Sequence, residues 1–138
     1  MTPRVLLAVS LVALLTACGG SSPKPMPVPC GTSADSGPLV VNAAAYTCGT
    51  ATSPTTNVYN FTAATSATHT VTLVTTYGDA DLCVRVQAGS LIDCSLNFPP
   101  AADAIAFTAS TGTVYEVEVD DSSFNTAYST YGVRVTSP

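Results

Sequence analysis

Between residues 57 and 135 apolar and polar side chains alternate at a period of two, as in Val71 and Leu73 or Tyr115, Val117 and Val119. That period sends successive side chains to opposite faces of a strand, so the chain must bury one face of several strands against a second sheet. Threonine, valine and tyrosine abound, turn residues recur roughly every ten positions, and no long helical period interrupts them. Strands are predicted over 39–46, 57–62, 67–76, 82–87, 91–95, 104–108, 113–119 and 128–136. This is an all-β pattern, a single jelly-roll-like β-sandwich of about eight antiparallel strands. Alternation points Tyr59, Phe61, Val71, Leu73, Leu82, Val84, Val86, Ile105, Phe107, Tyr115, Val117, Val119, Tyr131, Val133 and Val135 inward. Asp81, Cys83, Arg85, Glu116, Glu118 and Arg134 then point outward, and their mixed charge suits a solvated face better than a catalytic cluster.

The first 29 residues read differently. Arg4 precedes an apolar run from Val5 to Leu15 broken only by Ser10, the layout of an export signal. The run is shorter than the roughly 20 residues a spanning helix needs. It ends in Leu15, Thr16, Ala17, Cys18, Gly19, Gly20, which resembles the lipobox of bacterial lipoproteins. That resemblance implies removal of residues 1–17 and acylation of Cys18, with palmitate among its chains; several chains on one cysteine anchor a protein stably. Gly19 after the cysteine resembles the outer-membrane default of Gram-negative lipoproteins. An ordinary secretory signal cut after Ala17 is the alternative. Residues 18–29 run from a flexible Gly-Gly-Ser-Ser end into prolines at every second position from Pro23 to Pro29, a tether that stands the domain roughly 30 Å off a membrane at about 3.1 Å per polyproline residue. Residues 30–138 form the domain, extracytoplasmic and held to the cell envelope.

Four cysteines in that exported domain, Cys30, Cys48, Cys83 and Cys94, imply two disulfides. Three pairings exist; Cys30 with Cys48 and Cys83 with Cys94 close local loops and are preferred. No Cys-x-x-Cys occurs and His69 is the single histidine, so a zinc cluster lacks its ligands. After loss of the leader, Lys24, Arg85 and Arg134 face nine acidic residues. Such a chain has no basic patch, and nucleic acid is excluded as a partner.

Acidic residues supply the one candidate metal set. Asp79 and Asp81 flank a turn, Asp120 and Asp121 end a strand, and carboxylate oxygens converging from these would suit calcium. The competing use is turn chemistry, in which aspartate bonds its own backbone. His-Glu-x-x-His and Gly-x-Ser-x-Gly are absent, tryptophan is absent, and His69, flanked by threonines, reads as a surface residue without a catalytic partner.

The passage Tyr77, Gly78, Asp79, Ala80, Asp81, Leu82, with Tyr59-Asn60-Phe61 before it and Gly112-Thr113-Val114-Tyr115 after it, resembles the bacterial pre-peptidase C-terminal domain. The resemblance covers about residues 38–136 and departs at Cys83, where the family often has tyrosine. It implies a β-sandwich accessory module with relatives that bind matrix, some of them calcium-dependent. The expected function is therefore a lipid-anchored, non-catalytic binding or accessory module that contacts a protein or polysaccharide through Tyr46, Tyr77, Phe98 or Tyr128. A structural envelope lipoprotein without a specific ligand is the alternative, and an enzyme comes third.

Overall fold

The computed structural model describes residues 28–123 and 126–138; the leader, Cys18 and the tether through residue 27 lie outside them. Ten strands succeed one another: β1 (Cys30–Ser33), β2 (Gly37–Pro38), β3 (Tyr46–Ala51), β4 (Asn57–Thr62), β5 (Thr68–Tyr77), β6 (Ala80–Val86), β7 (Leu91–Ser95), β8 (Asp103–Thr108), β9 (Val114–Asp121) and β10 (Ser129–Thr136). They build two five-stranded sheets, the first in the order β1-β3-β10-β5-β8 and the second in the order β2-β4-β9-β6-β7. From β3 onward the chain changes sheet at every connection except the β6–β7 hairpin. The long pairings are antiparallel, while the short β1 and β2 run parallel to β3 and β4.

The core lies where the period of two places it. Tyr59, Phe61, Val71, Leu73, Leu82, Val84, Ile105, Tyr115, Val117, Val119, Tyr131, Val133 and Val135 are all buried, with Val86 and Phe107 packed at the margin. Each such aliphatic or aromatic side chain contributes about 1.5–3 kcal/mol by leaving water.

Two expectations need correction. Residues 39–46 are not a strand: Leu39 reaches the core and its N–H bonds the Asn60 carbonyl, but Asn42 sits at φ 61° and turns the chain. Three alanines come next, too small to cover a sheet face, and pairing resumes at Tyr46. His69 is not on the surface either. It is 1% exposed, shares the inward parity of Val71 and Leu73, and stacks on Phe61 with ring centroids 5.7 Å apart. Its Nδ1 lies 3.1 Å from the Ala67 carbonyl, so it serves as a core aromatic among Phe61, Phe107 and Tyr115.

Candidate functional site

Tyr131, Val133 and Val135 of β10 are buried, so the alternate positions Tyr128, Thr130, Gly132 and Arg134 belong to the outer face of the first sheet. On β5 the same logic buries Val71 and Leu73 and would carry Tyr77 inward with them. The register prevents it: Tyr131 opposes Thr75 while Thr130 opposes Tyr77, which leaves Thr76 as an extra residue. This bulge puts Thr76 and Tyr77 together on the outer face beside Thr130. Tyr77 and Tyr128, 49% and 42% exposed, meet there with ring centroids 5.2 Å apart and planes tilted by 34°.

Next to this pair the face sinks into an open depression of about 560 Å³, bordered by Thr50, Thr76, Thr130, Asp35, Val28 and the Cys30–Cys48 disulfide. Thr76 and Thr130 join hydroxyls at 2.8 Å, and the Asp35 carboxylate accepts the Thr50 N–H at 2.7 Å. Under the depression runs a buried polar chain. Asn57 Nδ2 donates to Tyr131 Oη at 2.7 Å, the Tyr131 and Tyr59 hydroxyls are 2.8 Å apart, and Tyr59 donates to the Ala34 carbonyl at 2.6 Å. Burial pushes both phenols above their ordinary range, and for Tyr59 the Tyr131 hydroxyl adds to the shift. Gly49 makes room for this pair, because a Cβ there would stand 2.6 Å from each hydroxyl.

Tyr46 lies at the far side of the same face. It is half-buried, its ring carries the Arg134 guanidinium at 4.6 Å, and together with Val28 it covers Gly132, where a Cβ would meet Val28 at 2.5 Å. The structure thus brings Tyr46, Tyr77 and Tyr128 onto one sheet face, with the depression among them. Phe98, 71% exposed, stands apart from them in the β7–β8 connection that leaves the second sheet. The threonines and Asp35 give no signal in the sequence, because threonine opposite an apolar residue is the ordinary composition of a solvated strand face.

The four aspartates do not form the expected calcium set. Asp120 and Asp121 are neighbours in β9 and point to opposite faces; Asp81 and Asp120 are direct partners across β6 and β9, and the charge of Asp79 also acts on Asp81. Asp120 accepts the Thr56 hydroxyl. Asp121 accepts Ser123 and Ser129, whose hydroxyls outweigh burial and lower its pKa. Among the described residues no three His, Cys, Asp or Glu side chains are arranged to hold a metal ion.

Cys83 and Cys94 face each other across β6 and β7 with Cα atoms 4.1 Å apart, and Cys30 bonds Cys48 across β1 and β3. Both pairs are the preferred ones, and two disulfides mark a domain built for an oxidising, extracytoplasmic compartment.

No family model matches the chain, and no curated protein matches it. Among solved structures it is similar to the pre-peptidase C-terminal domain of collagenase from Bacillus anthracis, with a TM-score of 0.54 and 14% identity over 72% of this chain and 93% of that one. The fold is thus like that of a pre-peptidase C-terminal domain. Another similar structure is PliG of Salmonella Typhimurium, a periplasmic inhibitor of g-type lysozyme, with a TM-score of 0.41 and 14% identity over 72% of this chain and 97% of that one.

Proposed function

We propose that this protein is a non-catalytic binding module of the cell envelope, anchored by lipid on Cys18, that engages a protein or polysaccharide through the outer face of its first sheet. The observation that carries this reading is the joining of Tyr77 and Tyr128 beside a hydroxyl-lined depression. Two half-exposed tyrosine rings in contact on one face offer a partner an apolar surface with polar hydroxyl tips, the combination that enriches tyrosine at interfaces. Val28, the first described residue of the tether, is itself a wall of the depression. A ligand bound there is held beside the end of the tether.

Two measurements test the reading. Cys18→Ser should move the protein from the detergent phase to the aqueous phase and abolish incorporation of labelled palmitate. The double variant Tyr77→Ala/Tyr128→Ala, in the lipidated protein, should lose retention on isolated envelope polymer and protein fractions. Unchanged partitioning would remove the anchor, and unchanged retention would remove the binding face.

A further inference from the structure

We infer that the depression on the first sheet is a site for a neutral, hydroxyl-rich polysaccharide chain; this rests on the binding-face reading and names its ligand class. Three features of the depression and its surroundings lead there. The aromatic surface is a tilted pair of half-exposed tyrosines outside the lining, adjoining it through Thr76 and Thr130. A sugar ring presents a C–H face that lies flat on such rings, and its hydroxyl edge is left for polar partners. Those partners are present in the second feature, the hydroxyls of Thr50, Thr76 and Thr130 and the carboxylate of Asp35. Asp35 is held by one oxygen on the Thr50 N–H, and its other oxygen is available to accept from ligand hydroxyls.

Charge is the third feature. Among the described residues Asp35 is the single charged one in the lining, and Arg134, the cation they place on this face, lies over the ring of Tyr46. Among the described residues a polyanion finds no counter-charge in the depression, and a polycation finds one carboxylate. A neutral chain matches this balance. A peptide fits less well: β3 and β10, which floor the site, are paired on both sides, so no strand can be added between them, and the open edge of this sheet at β1 is separated by β3 and β10 from Tyr77 on β5. The volume of about 560 Å³ lies within the range of small-ligand sites, room for a few sugar units at a time along a longer chain.

The test uses the lipidated protein in detergent micelles with amide NMR as readout and three kinds of probe: neutral oligosaccharides (hexamers of glucose, xylose and N-acetylglucosamine), a lysine-rich peptide and a proline-rich peptide. At least one neutral oligosaccharide should shift Thr50, Thr76, Tyr77, Tyr128 and Thr130. Its affinity should fall about tenfold with Tyr77→Ala and again with Tyr128→Ala, and about fivefold with Asp35→Asn. It should stay nearly constant between roughly 0.05 and 0.5 M salt, across which attraction between exposed charges is screened away. Shifts on this face from a peptide and from no oligosaccharide overturn the polysaccharide assignment and keep the binding face. Oligosaccharide shifts confined to other residues, or no shifts from any probe, overturn both. An affinity untouched by the tyrosine variants overturns the role given to their rings even where a sugar binds.

Discussion

Tyr59→Phe deletes one oxygen from the layer under the depression, and the order of protons in that layer sets the cost. Tyr59 has a single proton and gives it to the Ala34 carbonyl at 2.6 Å, so at 2.8 Å it must accept from Tyr131; Tyr131 in turn accepts from Asn57 at 2.7 Å. Removing the Tyr59 hydroxyl strands the Tyr131 proton in a site 1% exposed and takes the donor from Ala34. A buried donor left unmade costs about 1–3 kcal/mol and the lost carbonyl bond about 1 more, so the variant should lose about 2–4 kcal/mol. Tyr131→Phe should cost less. It strands one Asn57 N–H, but the Asn57 amide keeps its bond to the Thr50 carbonyl and Tyr59 keeps Ala34. The double variant has no stranded tyrosine proton and should be about as stable as Tyr59→Phe alone, well short of the sum of the two. Urea titration with both disulfides intact gives these values as shifts in midpoint at constant slope. For a domain of this size the larger loss corresponds to a drop in Tm of about 8–20 °C. Equal single costs that add in the double variant would refute the proton order.

Neighbouring features carry further expected outcomes. Opening the Cys83–Cys94 bond, whose ends are 11 positions apart, or the Cys30–Cys48 bond, whose ends are 18 apart, should cost about 3 kcal/mol each in the chain-entropy model, read as a midpoint shift for Cys83→Ser/Cys94→Ser and Cys30→Ser/Cys48→Ser; no shift in either would sink that account. Burial, reinforced by neighbouring carboxylates, raises Asp81 and Asp103 above the ordinary carboxylate value. The folded state then holds these protons more tightly than the unfolded chain, and their contribution is present in acid and lost as pH rises through the raised values. Asp121, lowered, contributes in the opposite sense, its share being lost as pH falls below the ordinary value. Thermal melts should therefore peak in mildly acidic buffer and fall toward neutrality, with Asp103→Asn flattening the fall; a melting temperature that climbs steadily to neutral pH contradicts the assignment. Asp93 folds back on the exposed edge strand β7 and accepts the Cys94 N–H at 2.9 Å, beside Leu91 and Leu96 at 53% and 64% exposure. Asp93→Val frees that donor and removes the charge, so light scattering should show dimers or larger species; a monomer at high concentration argues against the guarding role.

Strand interiors were legible because each had to bury alternate residues. β4 and β7 match their expected limits, and every residue assigned inward is buried or packed at the core margin. The strands that stayed hidden were the two-residue β2 and the longer β1 and β3, which read Cys-Gly-Thr-Ser and Tyr-Thr-Cys-Gly-Thr-Ala. Small polar residues give no period, and these strands are fixed by their partner strands and by a disulfide that pairing alone brings together. His69 misled for a related reason. Flanking threonines suggested solvent, yet parity with Val71 and Leu73 decided its side, and the parity signal was the stronger of the two.

The candidate site depends on a feature no period can show. By alternation Tyr77 belongs with Val71 and Leu73 in the core, and Tyr128 belongs with Thr130 on the surface, which would set the two rings on opposite sides of the sheet. One extra residue at Thr76 reverses Tyr77. Without the bulge the ring would turn into the core, and the depression would lose the aromatic pair beside it that distinguishes this face from an ordinary threonine-rich one. The bulge also brings Thr76 within 2.8 Å of Thr130, so the same irregularity supplies both the aromatic and the hydroxyl half of the site. Gly78 makes the next turn: its φ is 74°, and a Cβ there would stand 2.4 Å from the Ser129 hydroxyl and 2.8 Å from the Tyr128 carbonyl. A side chain at Gly78 would push β10 away from β5 just where Tyr128 must reach Tyr77. The glycine of the turn motif is, in the folded chain, what lets the two tyrosines meet.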